Sequence, residues 1–572
     1  MSEQQPTPTK TTYQSPAQPQ FPSSPPAPPY GQAVYQAPPK IRKPSDRRDL
    51  ITAGVLAVLA VLTVNFSLYG GFSIGFVAGY LAMLLCGGLY LRRHLERITP
   101  YGLFCLVAAV AAGGTFIWHN DPFAKFVGVI GISLLVALAL LSATGIGRQD
   151  GGTLAVLRDV WHIQLAAPLT HMGTAVSAIF LVKKGDTIEK RRCGGALLGL
   201  LCALPVLVVV VPLLISADAA FEGLLQHTIL DNLGEMVISL LVGIPLFCLL
   251  YSRVFGLRYG LDKKEPSPTA KGKGVSAMSL NTFLGTISGV YVIYLFSQTA
   301  YFFSAFAGIL PKDYTVAQYA RRGFFEMCAI CAINLVLVAI CLWLSRKQEG
   351  KAPLSTRLLG LFVLVFSIGL VATALSKMGL YITSFGMTRL RILTAVFMVM
   401  LGVVLVLVII RLFANRFPYM KAAVVTVTLI GLLVGYVDVD TFIAHYNVTA
   451  YNEEQLEELD LDTLSLLSDG ATPYLIELWD NRTPENTQQL ARILYQRLEA
   501  YGDVRYEDDK YVFTMTETMD FRHYNVDRFR AYTLLADRAQ EICNTQLNID
   551  SGYYDENYYD ENYYDEDYYE RY

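Results

Sequence analysis

At 572 residues the chain has material for several soluble domains, yet only 17% of it is charged and 53% is hydrophobic. An ordinary soluble domain is roughly 25% charged, so a set of water-soluble domains is excluded. The formal net charge of −3 carries no signal for a nucleic-acid partner, and none is expected.

Residues 1–48 are rich in Pro, Gln, Ser and Tyr. Such a segment buries too little apolar surface to fold and reads as a disordered, polyproline-like cytoplasmic tail, a tether or a docking site for partner domains. The basic run from Lys40 to Arg48 then sits on anionic headgroups.

Residues 49–441 alternate apolar blocks with short polar connections. A helix apolar all round needs lipid or a buried setting, and about 20 such residues cross the hydrocarbon core. We place eleven spans, at 50–69, 72–91, 101–118, 125–146, 194–215, 234–253, 279–303, 324–344, 357–381, 391–412 and 421–438. Each connection on the side of the N-terminus is basic, for example Arg92 and Arg93, Lys183 and Lys184, Lys263 and Lys264, Arg346 and Lys347, and Arg411 with Arg416. Connections on the other side hold few bases. Lys and Arg accumulate on the cytoplasmic side, so the N-terminus is expected on the cytoplasmic side and the C-terminus on the other. Two features interrupt the spans. Residues 147–193 read as an amphipathic interfacial helix anchored by Trp161, followed by a short apolar stretch at 172–182, and residues 257–277 read as a flexible loop.

Beyond the last span, residues 442–550 carry helical spacing of leucines, helix-start signals at Asp462 and at Thr483-Pro484-Glu485, and one strand-like run at 511–515. A small, mainly helical extracytoplasmic domain is expected there. Residues 551–572 repeat Tyr-Tyr-Asp-Glu with a period of five, which fits neither helix nor strand and reads as a disordered tail. The expected fold class is therefore all-α, a polytopic transmembrane helix bundle of about eleven spans with an external helical domain.

Ionisable groups inside a bilayer are costly and mark functional or packing sites. They collect near the outer end of the second half: Arg321, Arg322, Glu326, Lys377, Tyr381, Arg389, Arg391, Asp438 and Asp440. The expected pairings are Lys377 with Asp438 or Asp440, and Glu326 with Arg389 or Arg391. A second feature is a stripe on the seventh span, Tyr291, Tyr294, Gln298 and Tyr301, whose 3-4-3 spacing keeps the side chains within an arc of about 80 degrees. It serves either a polar interior or aromatic helix packing. Cys328 and Cys331 have redox spacing but an apolar helical setting, and the seven histidines are scattered; no metal or cofactor is expected.

Several strings resemble blocks of a known family. Tyr319-Ala-Arg-Arg-Gly-Phe-Phe-Glu326, Lys377-Met-Gly-Leu-Tyr381, Gly386-Met-Thr-Arg-Leu-Arg391, Asp440-Thr-Phe-Ile-Ala-His-Tyr-Asn447 and Asp520-Phe-Arg-His-Tyr-Asn525 are similar to the bacterial membrane family of domain of unknown function 4173, related to 4153. The resemblance runs over roughly residues 200–540, with Met387 where the family has Leu. It implies a multispanning protein without assigned activity and supplies no catalytic residues. Three roles stay open. The chain is a structural or regulatory envelope protein that anchors the external domain for partners, a transporter or flippase with a polar site near the outer face, or an enzyme acting on a lipid-linked substrate.

Overall fold

The computed structural model describes residues 47–95, 98–145, 155–179, 229–259, 275–307, 324–346, 351–414, 416–456, 458–507, 510–515 and 522–550. Among them, ten helices are long and apolar enough to cross a membrane. They are α1 (Arg47–Gly70), α2 (Ile74–Leu91), α3 (Pro100–Trp118), α4 (Pro122–Thr144), α7 (Ile229–Tyr259), α8 (Ala277–Ala307), α9 (Phe324–Leu344), α10 (Leu354–Phe385), α11 (Arg389–Phe413) and α12 (Tyr419–Val437). Each coincides with an expected span. The expected span at 194–215 lies outside the described residues, as do residues 1–46, the repeat tail 551–572, the loop through Lys263 and Lys264, and Arg321 and Arg322, while Arg47 and Arg48, expected in the N-terminal tail, begin α1. The protein is a multi-pass membrane protein of the all-α class.

Local chemistry sets the helix ends. Thr99 and Asp121 cap α3 and α4 by accepting from Gly102 and Phe123 amides, and each helix then begins with proline, which has no amide to leave unpaired. Thr388 caps α11 in the same way through the Arg391 amide.

Two packing groups build the bundle. In the first, α1 packs on α2 and α7, around Leu56, Tyr90, Phe247, Tyr251 and Phe255. α6 (Ala167–Ile179) fills the same core with Ala175 and Ala178. It follows α5 (Ala155–Trp161) and one π turn, and Trp161 is largely exposed, as an interfacial anchor requires. The apolar stretch expected from 172 thus packs, over its described part, onto α7 near the N-terminal end of α1. In the second group α10 is central and touches α8, α9 and α11, with Phe324, Leu364, Leu370 and Met398 buried. The pair α3 and α4 leans on α2, and α12 touches both α3 and α11, which joins the groups.

After α12 the chain turns at Asp438, which holds a left-handed backbone (φ 53°), and enters a second core. This contains α13 (Val439–Asn452), α14 (Leu461–Ser465), α15 (Thr472–Asp480), α16 (Pro484–Glu499), an antiparallel hairpin β1 (Gly502–Glu507) with β2 (Lys510–Met515), and α17 (Val526–Asp550). Trp479, Leu494, Leu498 and Ile542 are fully enclosed in it. Thr483 begins α16, its amide donating to Asn486 Oδ1 at 2.9 Å. Asp460 rather than Asp462 caps α14, accepting from the Thr463 amide at 2.8 Å.

Candidate functional site

The C-terminal helices sit on one end of the bundle, where α1, α3, α10 and α12 finish and α2, α4 and α11 begin. The contact is made of polar groups. Helix α3 ends with carbonyls that no intrahelical amide reaches, and α17 begins with amides in the same position. Asn525 satisfies both sets. Its Nδ2 donates to the carbonyls of Phe116 (2.9 Å) and His119 (2.7 Å), while its Oδ1 accepts the Asp527 and Arg528 amides at 3.1 and 3.3 Å. Ser73 donates to the Arg522 carbonyl, and the Ile74 amide donates to the Tyr524 carbonyl at 3.4 Å. Asn120 Nδ2 reaches Asp469 at 2.7 Å, and Lys125 donates to the Gly71 carbonyl and to Asn120 Oδ1, both at 2.6 Å.

Carboxylates concentrate at this junction. Asp440, fully enclosed, receives a two-pronged bond from Arg389, with Nε at 2.9 Å, and the Ser468 amide at 2.8 Å. Arg389 also faces Asp121 at 3.7 Å. Beside this pair, His119 Nδ1 lies 2.8 Å from Asp527 Oδ2 and 3.7 Å from Asp438 Oδ2, and its Nε2 lies 3.0 Å from the Tyr436 carbonyl. One donor atom from each of His119, Asp438 and Asp527 falls within 4.8 Å of the other two, a grouping able to hold a metal ion.

The electrostatics favour protons here. Burial works against a charged His119, but the hydrogen bond to Asp527 and the charges of Asp438 and Asp527 outweigh it and raise its pKa. Burial pushes Asp438 up, and Asp527 and Asp440 add to this against the Thr441 hydrogen bond and His119. Asp121 is raised by burial and by Asp440, against Arg389.

The described sequence candidates divide. Arg389, Asp438 and Asp440 meet at the junction. Arg391 lies in the first turn of α11, donating to the Phe385 and Gly386 carbonyls at 2.9 and 2.6 Å with its guanidinium 4.0 Å over the Tyr381 ring. It closes the C-terminus of α10. Among the described residues Asp440 is held by Arg389, and Asp438 by His119 and Thr441. Glu326 lies in the first turn of α9. Lys377 lies in α10. In the tyrosine stripe, Tyr291 stacks on Phe366 at 4.2 Å and donates to buried Asn334 at 2.6 Å, and Tyr294 packs edge-on to the same ring. That part is helix packing, while the Gln298 and Tyr301 side chains lie outside the description.

His119, Asp121, Lys125, Asn525 and Asp527 were not singled out from sequence. Their signal is that of polar residues near the ends of expected helices, with Asn525 also closing the Asp520–Asn525 string, and His119 and Asp527 lie 408 positions apart.

The family profile described as Domain of unknown function (DUF4153) matches residues 103–478, more than half of the chain. The chain belongs to the DUF4153 family. The match is to this family rather than to the related 4173, and it begins well before the expected block near residue 200. It takes in His119, Asp121, Arg389, Asp438 and Asp440, while Asn525 and Asp527 fall beyond its end. No curated protein and no solved structure matches this DUF4153 chain.

Proposed function

We propose that this DUF4153 protein is a structural or regulatory protein of the bacterial cell envelope, its bundle anchoring the C-terminal domain rigidly on the extracytoplasmic side. The Asn525 bridge carries this reading. One buried side chain caps a bundle helix and starts a domain helix, so the domain is fixed in orientation rather than tethered. The charged groups support it as well, since Asp440 is enclosed by partners from both bodies instead of facing a water-filled path. Orientation rests on the bases. Arg47, Arg92, Arg258, Arg346 and Arg411 stand at the helix ends opposite the domain. The domain and the Pro-rich tail then offer surfaces for protein partners on the two sides of the bilayer.

A thiol-reactive, membrane-impermeant probe tests the arrangement. Leu466 is 80% exposed on the domain, so Leu466→Cys should label in intact spheroplasts, and Arg92→Cys only after permeabilisation. Labelling in the reverse order would sink the proposal. Labelling of both sites in intact cells would do the same.

A further inference from the structure

We propose that His119, Asp438 and Asp527 bind one divalent transition-metal cation of the zinc class, at the seam between bundle and domain. The donor set is one imidazole nitrogen and two carboxylate oxygens, supplied by the α3–α4 connection, the α12–α13 turn and the first turn of α17. Borderline divalent ions take such N/O sets, whereas magnesium and calcium take oxygen alone.

Geometry fits. Tetrahedral zinc with bonds of about 2.0–2.1 Å sets neighbouring donors about 3.3 Å apart. The two separations from His119 Nδ1, 2.8 and 3.7 Å, bracket that value, and all three donor atoms lie within 4.8 Å of one another, so closing the two carboxylates onto an ion would complete the coordination. The outer contacts are those a ligating histidine needs. Nε2–H donated to the Tyr436 carbonyl fixes the ring and directs the Nδ1 lone pair at the two carboxylates. Asp438 is aimed by the Thr441 amide at 3.2 Å and by the Thr441 hydroxyl. Asp438 is buried, while the His119 and Asp527 side chains keep 17% and 15% of their surface. That opening admits an ion and leaves room for water as the fourth ligand.

On binding, the metal replaces the proton shared between Nδ1 and Asp527, which leaves to solvent. Because its ligands come from both bodies, the ion would also lock the domain onto the bundle. That consequence rests on the anchoring proposal, but the binding does not.

The test uses the untagged full-length protein in detergent, stripped with a chelator and then dialysed against Zn²⁺ or Co²⁺. The wild type should retain one metal per chain. Its Co²⁺ form should show the visible bands of a four- or five-coordinate ion, undisturbed by excess Mg²⁺. Asp527→Asn, which keeps shape and a hydrogen bond to His119, and His119→Gln should each weaken retention by roughly 10-fold or more. Failure of the wild type to retain metal, or equal retention by both variants, overturns the site. Slower hydrogen exchange on adding Zn²⁺ at the Ile74 amide, which donates to the Tyr524 carbonyl across the seam, reads the locking separately: metal bound without slowing overturns the locking and leaves the site standing.

Discussion

Each end of the bundle buries an aspartate, and the two are treated differently. At the basic end Asp49 is 1% exposed and its Oδ1 accepts from Tyr90 at 2.8 Å, Arg258 at 3.1 Å and Tyr259 at 3.4 Å. The Arg258 guanidinium lies 4.7 and 4.9 Å from the Tyr90 and Tyr259 rings. One acid, one base and two phenols, supplied by α1, α2 and α7, meet there. At the opposite end Asp121, Asp438, Asp440 and Asp527 crowd together, with Arg389 and His119 as the bases in direct contact. The first ties three bundle helices together. The second is completed only when another domain supplies Ser468 and Asp527.

The contrast is broken most severely at Arg389. Arg389→Ala would leave Asp440 fully enclosed with only the Ser468 amide, and removing one partner of a buried pair costs about 3–5 kcal/mol. Thermal unfolding in detergent should show a large loss, with earlier proteolysis between α12 and α17. Arg258→Ala should cost clearly less, because Asp49 keeps its phenol donors. Equal losses would show the two ends to be equivalent. Gly470 sharpens the comparison next. A Cβ there would overlap Thr441 Oγ1 and Asp438 Oδ2, so Gly470→Ala should cost about 2 kcal/mol through overpacking. A silent Gly470→Ala would mean that the Asp438 carboxylate is free to move.

Asn447 is smaller in effect but more local. Its side chain pairs twice with Met387, accepting from the amide at 2.7 Å and donating to the carbonyl at 2.8 Å. This ties α13 to the α10–α11 turn, where Gly386 holds φ 73°. Asn447→Ala should cost roughly 1–2 kcal/mol, since two buried backbone groups lose their partner. Hydrogen exchange at the Met387 amide should accelerate while amides in the core of α16 do not; uniform acceleration would argue against a local role.

How far the sequence carried the reading follows from the range of the forces. Span positions were legible because lipid imposes a continuous apolar run on each helix, as in residues 401–410. Thr483 before Pro484 was legible because capping acts within four residues. Arg389, Asp438 and Asp440 stood out as charges at span ends, but their partners did not. Asp440 pairs across 51 residues and His119 reaches Asp527 across 408, and no local pattern encodes contacts between helices so far apart. The metal-capable trio was invisible for the same reason: its ligands have no common spacing. Asn525 closes the string Asp520–Asn525, yet its role in joining two helix ends needed the other helix to be seen.

The smallest expected effect lies on the outer surface of the domain. There Asp480 and Arg538 form a two-pronged pair, at 2.9 and 2.8 Å, with both side chains partly exposed. The hydrogen bond from Arg538 holds the Asp480 pKa below its ordinary value against a small opposing effect of burial, and the charges of Arg538 and Arg482 add to it. A folded-state pKa below the unfolded one gives stability that is present above the unfolded value and lost as pH falls through the folded value. Solvent and salt screen such a pair, so its whole contribution should be below about 1 kcal/mol. Asp480→Asn should therefore shift unfolding slightly at neutral pH, less in high salt, and not at all below the carboxylate range, where the wild type has lost the same charge. A loss as large as that of Arg389→Ala would mean that an exposed pair on the domain matters as much as the buried one at the seam, and the distinction between enclosed and solvated carboxylates in this protein would fail.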